Sequence, residues 1–296
     1  MSHSVWKNKG FQWLVLIILA FVWGTSFILM KKGLNSFRPD HVAAFRVFFS
    51  SILLLPFSIR NIRKINAGNI KSLLISGYLG TAIPAVLFTT AQTRISSSLA
   101  GMLNSLTPFF TLLVGLTLYR VKFRILSFLG VLVGFAGAAG LMIQRSTDIF
   151  HSINLYALLI ALATLCYGMN INEIKARLGH MSGLEITSLA MLLIGPVAMI
   201  YLAFSDFSYV TPDKATWINL FYVFLLALFS SVFSLIVFNT LITHTSAVFS
   251  ASVTYIIPIF AIFWGIFDGE TVTLLQLVWI SLILLGVYLV NWNQKI

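Results

Sequence analysis

Apolar residues run along this chain in long blocks, and short polar stretches between the blocks carry most of the charge. Ten blocks can be distinguished, each close to the roughly 20 residues that a helix needs to cross a hydrocarbon core. Helix is the predicted state because lipid offers no partner for an unpaired backbone amide. The pattern predicts an all-α polytopic membrane protein of ten transmembrane helices. The blocks cover residues 11–30, 41–59, 72–92, 96–119, 125–143, 154–174, 184–204, 216–241, 247–267 and 272–291.

Composition supports the same class of protein. Hydrophobic residues make up 59% of the chain and charged residues only 9%, whereas a soluble domain typically carries about 25% charged residues. The 19 Lys and Arg against 8 Asp and Glu would suggest nucleic-acid binding in a soluble protein. Here the basic residues lie in short loops, as in membrane proteins. We therefore expect a lipid bilayer and no nucleic acid as partner.

The basic residues also predict the orientation in the membrane. A cytoplasmic N-terminus places twelve Lys and Arg in inner loops and tails and six in outer loops. This bias predicts that both termini are cytoplasmic, in a bacterial inner or plasma membrane. The first apolar block has no small-residue cleavage site, so we interpret it as a retained helix and not as a signal peptide.

An internal repeat divides the chain into two predicted halves, residues 11–145 and 150–292, with five helices each. Because five is odd, the second half would enter the membrane from the opposite side, as in many secondary transporters. Duplication that merely enlarged a membrane scaffold is the alternative. The residues that match at an offset of 150 include Phe88 and Phe238, Ser96 and Ser246, and Pro108 and Pro258. A second match, at an offset of 144, joins Trp23 and Gly24 to Tyr167 and Gly168.

The paired prolines lie in the middle of the fourth and ninth helices. Each lacks a backbone donor and so frees the carbonyl four residues earlier, on Asn104 for Pro108 and on Thr254 for Pro258. Pro108 and Pro258 are therefore predicted helix kinks. Such a kink either packs the bundle, with side chains binding the freed carbonyls, or opens a cavity.

Polar side chains near mid-helix mark the predicted binding site. Tyr167 and Asn170 are three residues apart and share one helix face, while Asn172 points elsewhere. Polar groups in membrane helices either join helices or line a water-filled space. We predict a shared central substrate site formed by Trp23, Asn104, Tyr167, Asn170, Thr254 and Tyr255.

Charged residues within the helices are few. Arg46 lies inside the second helix, where we favour a structural role and leave snorkelling to the interface or a functional role open. Asp and Glu are absent from the middle of the ten blocks. Glu173 precedes Arg177 by four residues near an inner helix end, which predicts a local ion pair. A proton relay normally needs an intramembrane carboxylate or histidine, so we expect facilitated diffusion.

The chain resembles the EamA-type members of the drug/metabolite transporter superfamily. The resemblance implies a secondary transporter that moves small polar or amphipathic metabolites, such as amino acids, and exports them by alternating access. The first half departs from the pattern, because Tyr119 and Arg120 stand where Gly-Glu is expected. The features that carry the resemblance are the two five-helix halves, Trp23–Phe27, the helix after Pro39 with Arg46, the Ile95–Pro108 segment, and Gly269 with Glu270.

Other functions are less well supported by the sequence. A membrane-embedded enzyme is not expected, since neither H-E-x-x-H nor G-x-S-x-G occurs. No cofactor is predicted, and the single Cys166 forms no metal site. A non-transporting scaffold stays the other alternative. Glycines at three- and four-residue spacing, from Gly130 to Gly140, predict close packing inside the bundle or a dimer interface, so the chain is expected to be a monomer or homodimer.

Overall fold

The computed structural model describes residues 5–121, 125–145, 155–267 and 274–291. Within these ranges every regular element is helical. The helices follow the ten predicted blocks, and we number them α1 to α10 in chain order. They are α1 Lys9–Leu34, α2 Pro39–Asn61, α3 Ile70–Ala91, α4 Ser97–Leu103 with Asn104–Leu106 and Thr107–Thr117, α5 Ile125–Arg145, α6 Leu155–Arg177, α7 Gly183–Phe204, α8 Lys214–His244, α9 Ala247–Ala251 with Val253–Phe267, and α10 Leu274–Asn291.

Seven of the described helices, α1 to α4 and α6 to α8, are long and apolar enough to cross a membrane. The apolar stretches described in α5 and α9 are shorter, 125–137 and 247–260. The protein is thus a helical integral membrane protein. That all ten helices span the bilayer stays a prediction.

Side-chain caps fix where several helices begin. Ser96 Oγ accepts from the Leu99 amide at 3.2 Å and Ser246 Oγ from the Phe249 amide at 3.1 Å, so two residues matched by the repeat cap α4 and α9 alike. Asp213 caps α8 by accepting from the Thr216 amide at 2.8 Å. This hydrogen bond holds the pKa of the Asp213 carboxyl below its usual value.

Both central prolines follow an interruption in regular helix. α4 tightens into a 3-10 turn at Asn104–Leu106 just before Pro108, and α9 is interrupted at Ser252 before Pro258. Hydroxyl groups bind the freed carbonyls. Thr107 Oγ1 donates to the carbonyl of Asn104 at 2.8 Å, and Ser105 Oγ donates to that of Thr254 at 3.1 Å. The second bond joins α4 to α9.

Two π-helical segments lie at matching places in the halves. Tyr78–Ala82 interrupts α3 and Leu226–Phe233 interrupts α8. Gly80 and Ser230 lie in them, separated by the repeat offset of 150. π-Helical turns are rare and occur often at functional sites. Neither segment was predicted from the sequence.

α5 and α10 pack closely and antiparallel. A Cβ on Gly140 would lie 2.3 Å from the ring of Trp279, and one on Gly137 would lie 2.8 Å from Ile283. Gly137 contacts Ile283, whereas Gly140, further along α5, contacts Trp279, which comes earlier in α10. The two helices therefore run in opposite directions. Small residues permit this close approach, and the glycines of α5 thus pack within the bundle.

α2 and α7 are also antiparallel and are joined along their length. Tyr201 donates to the carboxylate of Asp40 at one end. Lys64, in the turn that follows α2, pairs with Glu185 at the other end. In between, Ser58 Oγ donates to the Ser188 carbonyl at 2.8 Å, and Ser51 Oγ to that of Met191 at 3.0 Å. α2 and α7 therefore form one tightly held pair.

Candidate functional site

A cavity lies at the centre of the bundle, where helices from both predicted halves meet. The empty space between its walls is about 680 Å³, including its mouth. α1 to α4 contribute from the first half, and α6, α8 and α9 contribute from the second. Five of the six predicted binding residues line this cavity, namely Trp23, Asn104, Tyr167, Asn170 and Thr254.

Tyr255 is the predicted residue that the structure does not bring to the cavity. It is fully buried, and its hydroxyl donates to the carbonyl of Val131 on α5 at 3.0 Å. Its ring lies over Gly134, where a Cβ would come within 2.7 Å of it. Consecutive helical residues point about 100° apart, so with Thr254 turned to the cavity, Tyr255 points to the α5 side.

Two aromatic pairs form matching parts of the wall. Trp23 on α1 packs edge-to-face against Phe238 on α8, with ring centroids 5.0 Å apart. Tyr167 on α6 packs against Phe88 on α3, with centroids 6.1 Å apart. Trp23 and Tyr167 are repeat mates, and so are Phe88 and Phe238. Each half therefore provides one aromatic residue to each pair, and both pairs link the halves.

The π segment of α8 binds two residues of the first half. The Trp23 indole Nε1 donates to the carbonyl of Ser230 at 3.2 Å. Arg46 Nε donates to Ser231 Oγ at 2.6 Å, and its Nη2 donates to Ser230 Oγ at 3.2 Å. Arg46 is thus directed to the cavity, which it lines, and does not snorkel to the interface.

The π segment of α3 lies beside Asn170. A Cβ on Gly80 would come within 2.5 Å of Asn170 Nδ2, so only glycine fits with the amide in this position. Asn170 is 5% exposed, and its Oδ1 has no hydrogen-bond partner. Asn172 points elsewhere, as predicted, and its Nδ2 donates to the carbonyl of Thr111 on α4 at 2.8 Å.

Sequence reasoning missed several polar residues of the wall. One available signal was the Ser230–Ser231 pair inside an apolar stretch of α8, which lies one repeat offset from Gly80–Thr81. Ser26 lies within the Trp23–Phe27 segment that carries the family resemblance, but it was not among the predicted binding residues. The missed lining residues are Ser26, Arg46, Gly80, Thr107 and Ser230.

A buried carboxylate lies outside the cavity, near the end of α6. Glu173 is 4% exposed and accepts hydrogen bonds from Ser72 Oγ at 2.6 Å and from the Tyr119 hydroxyl. Its predicted ion pair is confirmed, since Arg177 Nε lies 3.3 Å from Oε1. Tyr119, at the departure from the family pattern, thus joins the end of α4 to α6.

Comparison with known proteins identifies the family. The profile of the EamA-like transporter family matches residues 11–143 and again residues 154–292. The chain belongs to the EamA-like transporter family. One match falls within each predicted half. Because family and relatives are named as transporters, this EamA-like chain is a membrane transporter, a class of proteins distinct from enzymes.

Several relatives match over most of the EamA-like chain. It is 27% identical to the uncharacterized inner membrane transporter YedA of Escherichia coli K12, across 94% of this chain and 90% of that protein. It is 26% identical to a chloroplastic WAT1-related protein of Arabidopsis thaliana, across 96% and 70%. An S-adenosylmethionine/S-adenosylhomocysteine transporter of Chlamydia trachomatis is 22% identical, across 85% and 80%.

A solved structure shares the fold. One crystal structure superposes with a TM-score of 0.72, covering 95% of this chain and 96% of the other, at 14% identity. At that identity the likeness concerns the fold alone.

Proposed function

We propose that this EamA-like chain is a secondary transporter that exports small polar or amphipathic metabolites of amino-acid type by alternating access. The observation that carries the proposal is the central cavity, whose wall is shared between the halves and combines aromatic rings with hydroxyl, amide and guanidinium groups. Ligand sites are typically apolar clefts with a few placed polar groups. Export, as opposed to uptake, rests on the family resemblance.

We propose further that the chain forms ten transmembrane helices arranged as two inverted five-helix repeats. The support is the antiparallel packing of α5 with α10 and of α2 with α7, because these are the corresponding helices of the two halves. Helices related by a two-fold axis in the membrane plane must run in opposite directions. Transporters of this kind bind their substrate near the midplane, between the repeats.

Alternating access would proceed by rocking the halves around the cavity. The aromatic pairs Trp23–Phe238 and Tyr167–Phe88 join helices of opposite halves. They are therefore the contacts that such a motion would rearrange. Because the two pairs are related by the repeat, they would have equivalent roles in opening the cavity towards the two sides of the membrane.

Flux in proteoliposomes tests the function. The purified chain is reconstituted, and counterflow is measured with the common amino acids and with S-adenosylmethionine, which is included because a relative is named for it. We expect saturable flux of at least one solute and at least a tenfold loss in Tyr167→Ala. The control is Phe204→Ala, at a side chain that is 88% exposed, with wild-type flux. Absence of flux for every solute would leave the scaffold alternative.

A further inference from the structure

The guanidinium of Arg46 lines the cavity with neutral partners. Ser230 and Ser231 bind it, and in the described part of the chain no carboxylate lies within 4.0 Å of it. A guanidinium has five N–H donors and stays charged. The two serine bonds occupy the edge formed by Nε and Nη2. Three donors, including the end edge formed by Nη1 and Nη2, have no acceptor among the described residues.

This positive charge is confined to one side of the cavity. At the repeat offset of 144, the counterpart of Arg46 is Ala190, and at the offset of 150 the counterparts of Ser230 and Ser231 are Gly80 and Thr81. The place that Arg46 and the serines fill on one side is therefore taken on the other side by small neutral residues. The symmetry of the fold is broken here by charge.

The neutral side carries an unused acceptor. Asn170 Oδ1 is buried and has no partner, and Asn170 lines the same cavity as Arg46. Leaving a buried polar atom without a partner is costly, and such atoms are rare in folded proteins. Gly80 leaves the space that this amide occupies. The cavity thus presents a cation with an open fork, and its wall holds a buried carbonyl oxygen without a partner.

We infer that the cavity binds a zwitterion, with its carboxylate on the end edge of Arg46 and its ammonium donating to Asn170 Oδ1. This inference rests on the proposed transport function and specifies the substrate class. Guanidinium–carboxylate pairs form two parallel charge-assisted hydrogen bonds, which fix orientation as well as add affinity. Both groups of an α-amino acid are needed, and a solute with one of them alone loses one anchor.

Trimmed solutes test the inference on the wild-type protein. The amino acid with the highest counterflow is compared with its carboxamide, which lacks the carboxylate, and with its deaminated acid, which lacks the ammonium. We expect each to bind at least tenfold more weakly than the amino acid, measured as competition for flux. Equal competition by the carboxamide overturns the Arg46 contact. Equal competition by the deaminated acid shows a simple anion site and overturns the Asn170 contact.

Variants assign the contacts to their residues. Arg46→Gln should lower the affinity for the amino acid at least tenfold. It should change the affinity for the carboxamide less than twofold, because the carboxamide does not use the guanidinium. Arg46→Lys keeps the charge but loses the fork, so it should recover only part of the affinity. Arg94→Gln, at an exposed loop residue, is the matched control and should behave as wild type.

The outcomes separate the two proposals. If solutes are transported but Arg46→Gln and Arg46→Lys bind the amino acid as wild type does, the zwitterion site is refuted and the transport function stands. If Arg46→Gln does not fold, the wild-type comparison of the three solutes decides alone. If no solute moves at all, both proposals fail.

Discussion

At the scale of single residues, Gly80 determines how close Asn170 can come to α3. A methyl group at position 80 would lie 2.5 Å from Asn170 Nδ2 and 2.9 Å from its Cγ. Contacts this short force the amide to move. The position of the proposed ammonium acceptor therefore depends on the absence of a side chain on the neighbouring helix.

The first prediction concerns this glycine. Gly80→Ala should displace the Asn170 amide and weaken solute affinity severalfold, while the protein still folds. The affinity is measured by concentration-dependent counterflow, and folding by size-exclusion chromatography. Gly68→Ala, in an exposed turn, is the control. Unchanged affinity in Gly80→Ala would contradict a role for the Asn170 amide.

The second prediction separates Tyr255 from its neighbour Thr254. Tyr255→Phe loses the hydrogen bond to the Val131 carbonyl and should lower the free energy of unfolding by about 1 kcal/mol, with solute affinity unchanged. Thermal unfolding in detergent measures the first quantity, and counterflow the second. A loss of affinity with full stability would return Tyr255 to the binding site.

The residues of the site could be predicted from the sequence where a polar side chain near the middle of a membrane helix was enough to identify them. Asn104 and Asn170 are amides in apolar blocks, so their burial beside a cavity follows from the cost of placing them against lipid. Tyr255 meets the same criteria, yet it packs on α5, because its direction depends on the phase of α9 after the interruption at Ser252. Arg46 was noted as a charge inside a helix, but its place in the cavity wall was missed, because its serine partners are 184 and 185 residues away along the chain.

At the scale of helices, the hydrophobic blocks predict where each helix lies along the chain, but they do not predict the geometry within a helix. Each block coincides with a helix because length and apolarity determine that state in lipid. The π segments in α3 and α8 leave no such signal, since a wider turn uses the same apolar residues. They depend on tertiary contacts, such as those of Ser230 and Ser231 with Trp23 and Arg46.

The third prediction tests the π segment of α8. Deleting Phe229, an exposed residue within Leu226–Phe233, should convert the wide turn to regular α-helix, because a π turn holds one residue more than an α turn, and should shift the residues inside the segment. The two serines would then leave Arg46, so we expect loss of flux with retained membrane insertion. Deletion of Thr211, in the exposed loop before α8, should preserve flux. Transport by the Phe229 deletion would show that the π geometry is dispensable.

At the scale of the whole molecule, the repeat predicts which parts face opposite sides of the membrane. Cysteines at Gly68, in the α2–α3 loop, and at Arg94, in the α3–α4 loop, should differ in reaction with an impermeant thiol reagent on intact cells. The background is Cys166→Ala, which removes the single natural cysteine. Arg94→Cys should label and Gly68→Cys should not, as cytoplasmic termini require. Equal labelling would refute the inverted arrangement.

Whether transport is coupled to a proton gradient is also a property of the whole molecule. Facilitated diffusion is expected because Glu173, a buried carboxylate of the described chain, lies outside the cavity and is held by Ser72, Tyr119 and Arg177. A pH gradient imposed on proteoliposomes without a solute gradient should therefore drive no net accumulation. Accumulation that disappears in Glu173→Gln would establish proton coupling and contradict this expectation.

The pairing of α5 with α10 has a consequence for biosynthesis. The ribosome completes α5 before any residue of the second half exists, so the glycine face around Gly137 must wait in the bilayer until α10 has been inserted. α2 likewise waits for α7. Assembly of the bundle is thus completed only after α10 has been translated. A chain truncated before Leu274 would keep the α5 glycine groove uncovered and available to other helices, which is a state that membrane quality-control proteases could recognise.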